Sequence, residues 1–418
     1  MGKIDSVWVV SKYAVLPEFG PPNRQYFIAK FLNKQNIPTR LITSRSCAYT
    51  KLPGFIGTYK SALNQDKVPY TILNGPTVGL GFSIKRLFSW LIFEINFFIY
   101  SILRYRHRPK VLYISSLSIL TFFTGVILKQ IYKCKLVLEV RDIWPETLIA
   151  FGNYQENSLI VRLLKSVERY GYKNADLIVG SMPGLDLHIK QVTNKYGKFI
   201  WIPMGYDESF YRLDFEALEN DHNIQDILSL IRRQKMSYRF TIAYAGTLGK
   251  ANYVHEILEA ARALGREYGV FIIGEGPLKE KLMNQFAEEN IHFLGGLKKS
   301  YLPKVLNEFD LLVNMWGKKK IYDFGVSPNK WIDYMLSERP ILVSYEGYRS
   351  IINEADCGWF ISANDTTLLA STIEHIANKL DSEELDRIGK NGSLYVKAKL
   401  SYPCLVERLC KEISNLEG

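Results

Sequence analysis

Whole chemistries are missing from this sequence. Its five cysteines, Cys47, Cys134, Cys357, Cys404 and Cys410, are odd in number, scattered and free of any Cys-x-x-Cys pair. That excludes a zinc ribbon or a disulfide framework and reads as buried thiols in a reducing compartment. The six histidines are spread out, and His255-Glu256 has no second histidine one turn further on, so a zinc-protease helix is excluded and no metal site is expected. The run GEGPL at 274–278 lacks the third glycine of a dinucleotide fingerprint, and no glycine-lysine-serine/threonine phosphate loop occurs, which disfavours NAD and P-loop chemistry. Tyrosine and tryptophan are plentiful but do not interleave with lysine and arginine as a base-stacking surface would, so no nucleic-acid partner is expected.

The opening MGKIDSVWVV has none of the charged, apolar, small-residue order of a secretory leader, and the expectation is a cytoplasmic chain. Long apolar runs are scarce. The exception, LFSWLIFEINFFIYSIL at 87–103, is broken by Glu94 and Asn96 and collared by Lys85, Arg86, Arg104, Arg106, Arg108 and Lys110. A membrane span with those polar breaks is costly. Two readings remain, and both can hold: a core helix of an α/β domain, or a helix whose outer face rests on a membrane surface.

What is present is a chain of 418 residues, 47% hydrophobic and 23% charged, too long for one ordinary core and rich enough in apolar residues for two. Its net charge of +11 favours an anionic partner such as a phosphate or a lipid headgroup. Short β-rich runs alternate with helical patterns: VWVV, TRLIT, VLYIS, KLVLEV, DLIVG and KFIWI in the first half, then RFTIAYAG, VFIIG, IHFLG, DLLVN, PILVS and GWFIS after residue 239. This predicts two doubly wound α/β domains with parallel sheets, ligands lying beyond the carboxyl ends of the strands and the active site in the cleft where the domains face each other.

One position is at odds with helix electrostatics. In GVSPNKWIDYM at 325–335, Ser327 can cap, Pro328 suits a first helical residue, and Trp331, Ile332 and Met335 make an apolar stripe. Yet Lys330 stands in the first turn, where the helix dipole favours an acid. An anion arriving from outside would explain it; the alternative is a solvated lysine on a surface helix. Glycine loops after strands, YAGTLGK, IIGEGPL and FLGGLKK, sit where phosphates are held in such sheets.

The order EFGPPNRQYFIAKFL, VRDIWPETL, IPMGYDESF, YAGTLGK, IIGEGP, FLGGL and GVSPNKWIDYMLSERPILVS resembles a family 4 retaining glycosyltransferase of the GT-B type. Its RDIWPE and SPNKWIDYM motifs are similar to the bacterial subgroup that builds O-antigen or capsule with amino sugars. The resemblance implies an acceptor-binding domain over 1–205, a donor-binding domain over 206–395 and a C-terminal helix over 396–418 that crosses back. It also implies transfer from a nucleotide sugar, usually UDP-linked, without a metal or other cofactor. Carried onto this chain, it makes Arg141, Asp142, Lys250 and Lys330 catalytic. Gly246, Gly249, Gly274, Glu275, Gly276, Leu297, Ser327, Pro328, Asn329 and Asp333 become donor-binding, and Gly20, Arg24 and Glu146 acceptor-binding. The acceptor would be lipid-linked, with residues 85–108 touching the inner face of the cytoplasmic membrane.

The sequence also departs from that pattern. Asp333 and Gly325 stand where many relatives carry two glutamates, and Arg141 replaces a histidine. Asp142 has a structural alternative, an ion pair with Arg141 or a helix cap. Two rival functions stay open at this level: a nucleotide-sugar epimerase or phosphorylase on the same architecture, and a basic membrane-surface or nucleic-acid binding protein without catalysis.

Overall fold

The computed structural model describes residues 7–45, 55–77, 84–116, 118–152, 154–211 and 221–416. Cys47 lies outside them. The chain divides into two compact units, Met1–Pro203 with Tyr402–Gly418, and Met204–Ser401.

In the first unit the strands β1 (Val7–Val10), β2 (Thr39–Ser44), β3 (Tyr59–Leu63), β4 (Pro69–Leu73), β5 (Val111–Ser115), β6 (Lys135–Val140), β7 (Leu177–Gly180) and β8 (Lys198–Trp201) form one sheet in the order β3-β4-β2-β1-β5-β6-β7-β8. β1 and β5 are buried throughout, as continuous Val/Leu/Ile runs covered on both faces should be. The ladder is parallel except at one edge, where β3 runs antiparallel to β4. These two strands have no strong sequence signal. The YKSAL of β3 is largely exposed with a lysine on the edge, and β4 opens on Pro69, tolerated only where no ladder N–H is needed.

Helix α1 (Arg24–Lys34) follows β1. The last helix, Tyr402–Ser414, lies against α1 through Tyr402, whose ring stacks on Phe27 at 4.6 Å. The chain leaves the second unit at Ser401 rather than near 395, because the helix Ser382–Lys399 runs unbroken through that point.

Helix α2 (Ile84–Leu103) has two faces. Trp90, Phe93, Phe97 and Tyr100 are buried, whereas Phe88, Leu91, Ile95, Ile99, Ile102 and Leu103 are each 41–66% exposed. Its polar breaks are turned to the protein. Glu94 accepts hydrogen bonds from Thr121 at 2.6 Å and Thr124 at 2.7 Å on α3 (Leu120–Tyr132), and Asn96 donates to the Asn74 carbonyl at 2.8 Å. By length and composition α2 could cross a membrane, a test that core helices also pass.

The second unit carries β9 (Phe240–Ala245), β10 (Tyr268–Ile273), β11 (Ile291–Gly295), β12 (Leu311–Met315), β13 (Ile341–Ser344) and β14 (Gly358–Ile361) in the order β11-β10-β9-β12-β13-β14, all parallel. Ile242, Tyr244, Val270, Ile272, Leu311 and Val313 pack with Ile257, Leu258, Leu369 and Ile373 into its core. The strand order reverses between β9 and β12, which pair only through Leu311–Ile242 and Leu312–Ala243. Beyond that short ladder the two strands open a gap at their carboxyl ends, the place where such sheets take ligands.

Candidate active site

The helix Asn329–Leu336 closes that gap. The Tyr334 hydroxyl accepts from the Ala245 amide at 2.7 Å and faces the carbonyls of Ala245 and Val313 at 3.1 and 3.3 Å, so one phenol satisfies backbone groups of both diverging strands. Trp331 Nε1 donates to Asn314 Oδ1 at 2.7 Å from the same buried face. The start of the helix differs from the sequence expectation by one residue. Pro328 is the N-cap and Asn329 the first helical residue; Ser327 does not cap, because its hydroxyl accepts instead from the Met204 amide at 2.9 Å.

Lys330 therefore sits second in the helix, half-buried, with Nζ 2.8 Å from Asn252 Oδ1 and 3.1 Å from the Tyr244 hydroxyl, and 4.8 Å from the centre of the Tyr244 ring. Among the described residues no carboxylate lies within ion-pair distance of it. Its partners are neutral dipoles, and burial pushes its pKa down to about 8. An ammonium so placed beside first-turn N–H groups is an unneutralised positive centre. Asn252, which the sequence reading passed over, is held for this task by donating to the Thr247 carbonyl at 3.0 Å. Tyr244 is hidden as one more apolar strand position.

Two of the glycines have a packing role that the sequence did not show. A Cβ on Gly274 would lie 1.9 Å from the Gly246 carbonyl oxygen, and one on Gly276 would lie 2.4 Å from that of Leu248. These residues let the loops after β9 and β10 touch backbone to backbone. Gly246 itself adjoins the Tyr244 hydroxyl and Lys330 Nζ, at 2.8 and 3.0 Å from an added Cβ. Gly249 has room for a Cβ, which would meet only Thr247 Cγ2 at 3.8 Å, and Lys250 next to it is exposed. Glu275 is exposed but engaged: Lys279 and the Gly296 amide hold its carboxylate at 2.7 and 3.2 Å and keep its pKa low. Leu297 is half-buried beyond β11, and Asn329 is exposed. Asp333 is buried. The Tyr211 hydroxyl donates to its Oδ1 at 2.6 Å and Lys299 stands 3.8 Å from Oδ2, while desolvation raises its pKa against their pull.

In the first unit Arg24 is not an acceptor contact. It is 1% exposed, and its guanidinium is consumed by Glu139 at 2.5 Å and by the carbonyls of Ile202 and Pro203 at 3.0 and 2.5 Å. A fully buried cation with its donors spent on protein is structural. The pair has a second consequence. Gln25 donates to Glu139 Oε2 at 2.7 Å and accepts from Arg141 at 3.4 Å, so the buried ion pair orients Arg141 through one amide. Arg141 is half-buried at the carboxyl end of β6. Asp142 beside it has an exposed side chain, yet crowding desolvates it enough to raise its pKa against Arg141 and Arg86. Glu146 pairs with Lys165 at 3.3 Å. Gly20 lies in the loop between β1 and α1. Among the described residues no cluster of His, Cys, Asp or Glu is arranged to hold a metal ion.

Residues 239–379, the segment that builds this gap and its helix, match the family described as Glycosyl transferases group 1. That stretch is similar to the group 1 glycosyltransferase domain. It holds β9 to β14 and Lys330. A probable glycosyltransferase, WbjE of Pseudomonas aeruginosa, is 24% identical over 280 residues, 65% of this chain and 67% of its own length. Among solved structures, a sucrose-phosphate synthase from Thermosynechococcus elongatus superimposes with a TM-score of 0.74 at 14% identity over 99% of both chains. HepE from Anabaena, solved with UDP and glucose, gives 0.66 at 12% identity, covering 99% of this chain and 100% of its own. WaaG, a glycosyltransferase involved in lipopolysaccharide biosynthesis, gives 0.61 at 14% identity over 98% and 99%. The fold is GT-B, with two Rossmann-like domains.

Proposed function

We propose that this glycosyltransferase moves a hexosyl or amino sugar from a UDP-sugar to a hydroxyl of a lipid-linked or saccharide acceptor in bacterial surface-polysaccharide synthesis, with retention at the anomeric carbon and without a metal. The observation that carries the reading is Lys330: an ammonium on a helix N-terminal turn, at the switch point of the second sheet, held by neutral groups only. A departing UDP gains negative charge as the sugar–phosphate bond breaks, and fixed donors in a poorly hydrated site stabilise that charge without reorganising. Lys330 and the first-turn N–H groups would face the diphosphate, with Lys250 reaching in from the loop after β9. Asp333 would take the ribose hydroxyls in exchange for its bond to Tyr211.

Retention follows if the acceptor oxygen bonds to the anomeric carbon on the face that the diphosphate leaves, with the acceptor proton passing to the departing phosphate oxygen. The protein then supplies orientation and field. Arg141 is assigned to the donor sugar or diphosphate, and Asp142 and Glu146 to the acceptor. The exposed stripe of α2 would bring the enzyme to the inner face of the cytoplasmic membrane, where a lipid-linked acceptor is presented.

The test is a thermal-shift panel of UDP, GDP, ADP and their sugars on the wild type and Lys330→Ala. The expected result is stabilisation by UDP compounds that is largely lost in the variant, together with transfer that persists in EDTA. A wild type that no nucleotide stabilises overturns the reading.

A further inference from the structure

We propose that Tyr211 is an internal competitor of the nucleotide's ribose and makes the site selective for a vicinal diol, because a ligand with a single ribose hydroxyl gains nothing by displacing it. The inference rests on the reading of Asp333 as the group that takes the ribose.

Asp333 follows Lys330 by one turn of the helix Asn329–Leu336 and is 4% exposed. A carboxylate at that depth needs hydrogen-bond donors, since a buried charge left unmet is costly. The protein supplies one. The Tyr211 hydroxyl donates to Oδ1 at 2.6 Å, the length of a strong charge-assisted bond. Oδ2 faces the Lys299 ammonium at 3.8 Å, near enough for attraction but too far for a hydrogen bond. One oxygen of Asp333 therefore has a hydroxyl against it, and the other has a charge nearby without a donor in contact.

Local structure brings Tyr211 there. It ends the single turn Glu208–Tyr211, whose start is fixed: Asp207 Oδ1 accepts from the Phe210 amide at 3.3 Å and from the Ser209 hydroxyl. Just before it the Tyr206 amide donates to the Leu400 carbonyl at 3.0 Å, and the Met204 amide donates to the Ser327 hydroxyl at 2.9 Å. The Tyr211 ring is half-buried, with the Tyr206 ring 6.1 Å away between centres and Lys299 Nζ 5.8 Å from its own centre. With the backbone held and the ring partly exposed, the hydroxyl can leave Asp333 by rotation about side-chain bonds alone.

Donor counts decide what displaces it. A ribose presents two adjacent hydroxyls, and Tyr211 presents one. UDP takes the place of Tyr211 on Oδ1 and adds a donor for Oδ2. A 2′-deoxy nucleotide only trades one hydroxyl for another, and a 2′,3′-dideoxy nucleotide leaves Tyr211 where it is. In this protein the first ribose hydroxyl thus adds nothing to affinity, and the second carries the selection. Removing the tyrosine hydroxyl makes the first one count.

The experiment is titration calorimetry of UDP, 2′-deoxy-UDP and 2′,3′-dideoxy-UDP on the wild type, Tyr211→Phe and Lys330→Ala. A hydrogen bond to a charged group changes affinity by a factor of about ten or more. The wild type should bind the two deoxy nucleotides equally well and UDP about tenfold more tightly. Tyr211→Phe should bind UDP and 2′-deoxy-UDP about tenfold more tightly than the wild type does, with 2′,3′-dideoxy-UDP unchanged. Its melting temperature without ligand should fall, because Asp333 has lost its donor. A tyrosine that only supports the fold gives the lower melting temperature without any gain in affinity, and one that itself contacts the nucleotide gives weaker binding of all three; either result overturns the proposal. So does a wild type that already prefers 2′-deoxy-UDP to the dideoxy compound. If Lys330→Ala weakens UDP binding while Tyr211→Phe leaves it unchanged, this proposal falls and the transferase reading stands; if no nucleotide binds the wild type, both fall.

Discussion

Lys330 Nζ and Asn252 Oδ1 lie 2.8 Å apart, and this bond joins the helix at the switch point to the loop that leaves β9. The lysine is pinned where a diphosphate would need it, with only uncharged groups for company. Burial holds its pKa at about 8, below the ordinary lysine value of 10.5, and the direction of that shift can be measured. Between those two values the unfolded chain holds a proton that the folded chain has released, so this residue makes stability rise with pH through that window, by at most about 3 kcal/mol. Chemical denaturation from pH 7 to 10.5 should show this extra rise in the wild type and not in Lys330→Met. The variant should also be the more stable protein at pH 7 and the one that UDP no longer stabilises.

Glu94 is the mirror case. Burial raises its pKa to about 7 against the help of Thr121, Thr124 and Ser118. The folded chain keeps a proton that the unfolded chain loses above about 4.5, so its contribution is full below that pH and declines as pH rises through 7, by up to about 3 kcal/mol. Glu94→Gln keeps the acceptor oxygen and should flatten this part of the stability profile between pH 4.5 and 7.

Arg24→Met leaves the Glu139 carboxylate buried without its cation, which should cost about 3–5 kcal/mol in urea denaturation. Adding Glu139→Gln should recover part of that loss. Neither change should abolish stabilisation by UDP, because the Arg24 guanidinium is spent on Glu139 and on carbonyls of unit 1; loss of the UDP response in a folded Arg24→Met protein would place Arg24 at the nucleotide.

Gly274→Ala drives a methyl group into the Gly246 carbonyl and should destabilise the protein by about 1–3 kcal/mol. Gly249→Ala, which meets nothing nearer than Thr247 Cγ2 at 3.8 Å, should change the melting temperature little. Any effect of that second substitution on KM for the donor then reports the ligand and not the fold.

The central parallel strands were legible because β1, β5, β9, β10 and β12 are buried throughout and carry that burial as apolar runs rich in Val, Ile and Leu. β3 and β4 were not, since an exposed edge needs no such run and Pro69 reads as a stop. Lys330 could be singled out because a cation in a first helical turn breaks a local electrostatic rule. Its partners could not: Asn252 and Tyr244 follow every local rule, and only the folding of the β9 loop toward the helix makes them neighbours. Arg24 was misread for a related reason. An arginine after a glycine-proline loop looks available to a phosphate, and nothing nearby in sequence announces Glu139, 115 positions away.

The backbone contact between Gly274 and Gly246 makes two loops of the second unit one mechanical object. A specificity loop transplanted from a relative after β9 would have to arrive with its counterpart after β10, or the two would jam. Exchange of such loops should therefore succeed in pairs and fail singly, which sets the unit in which donor preference in this protein can be re-engineered.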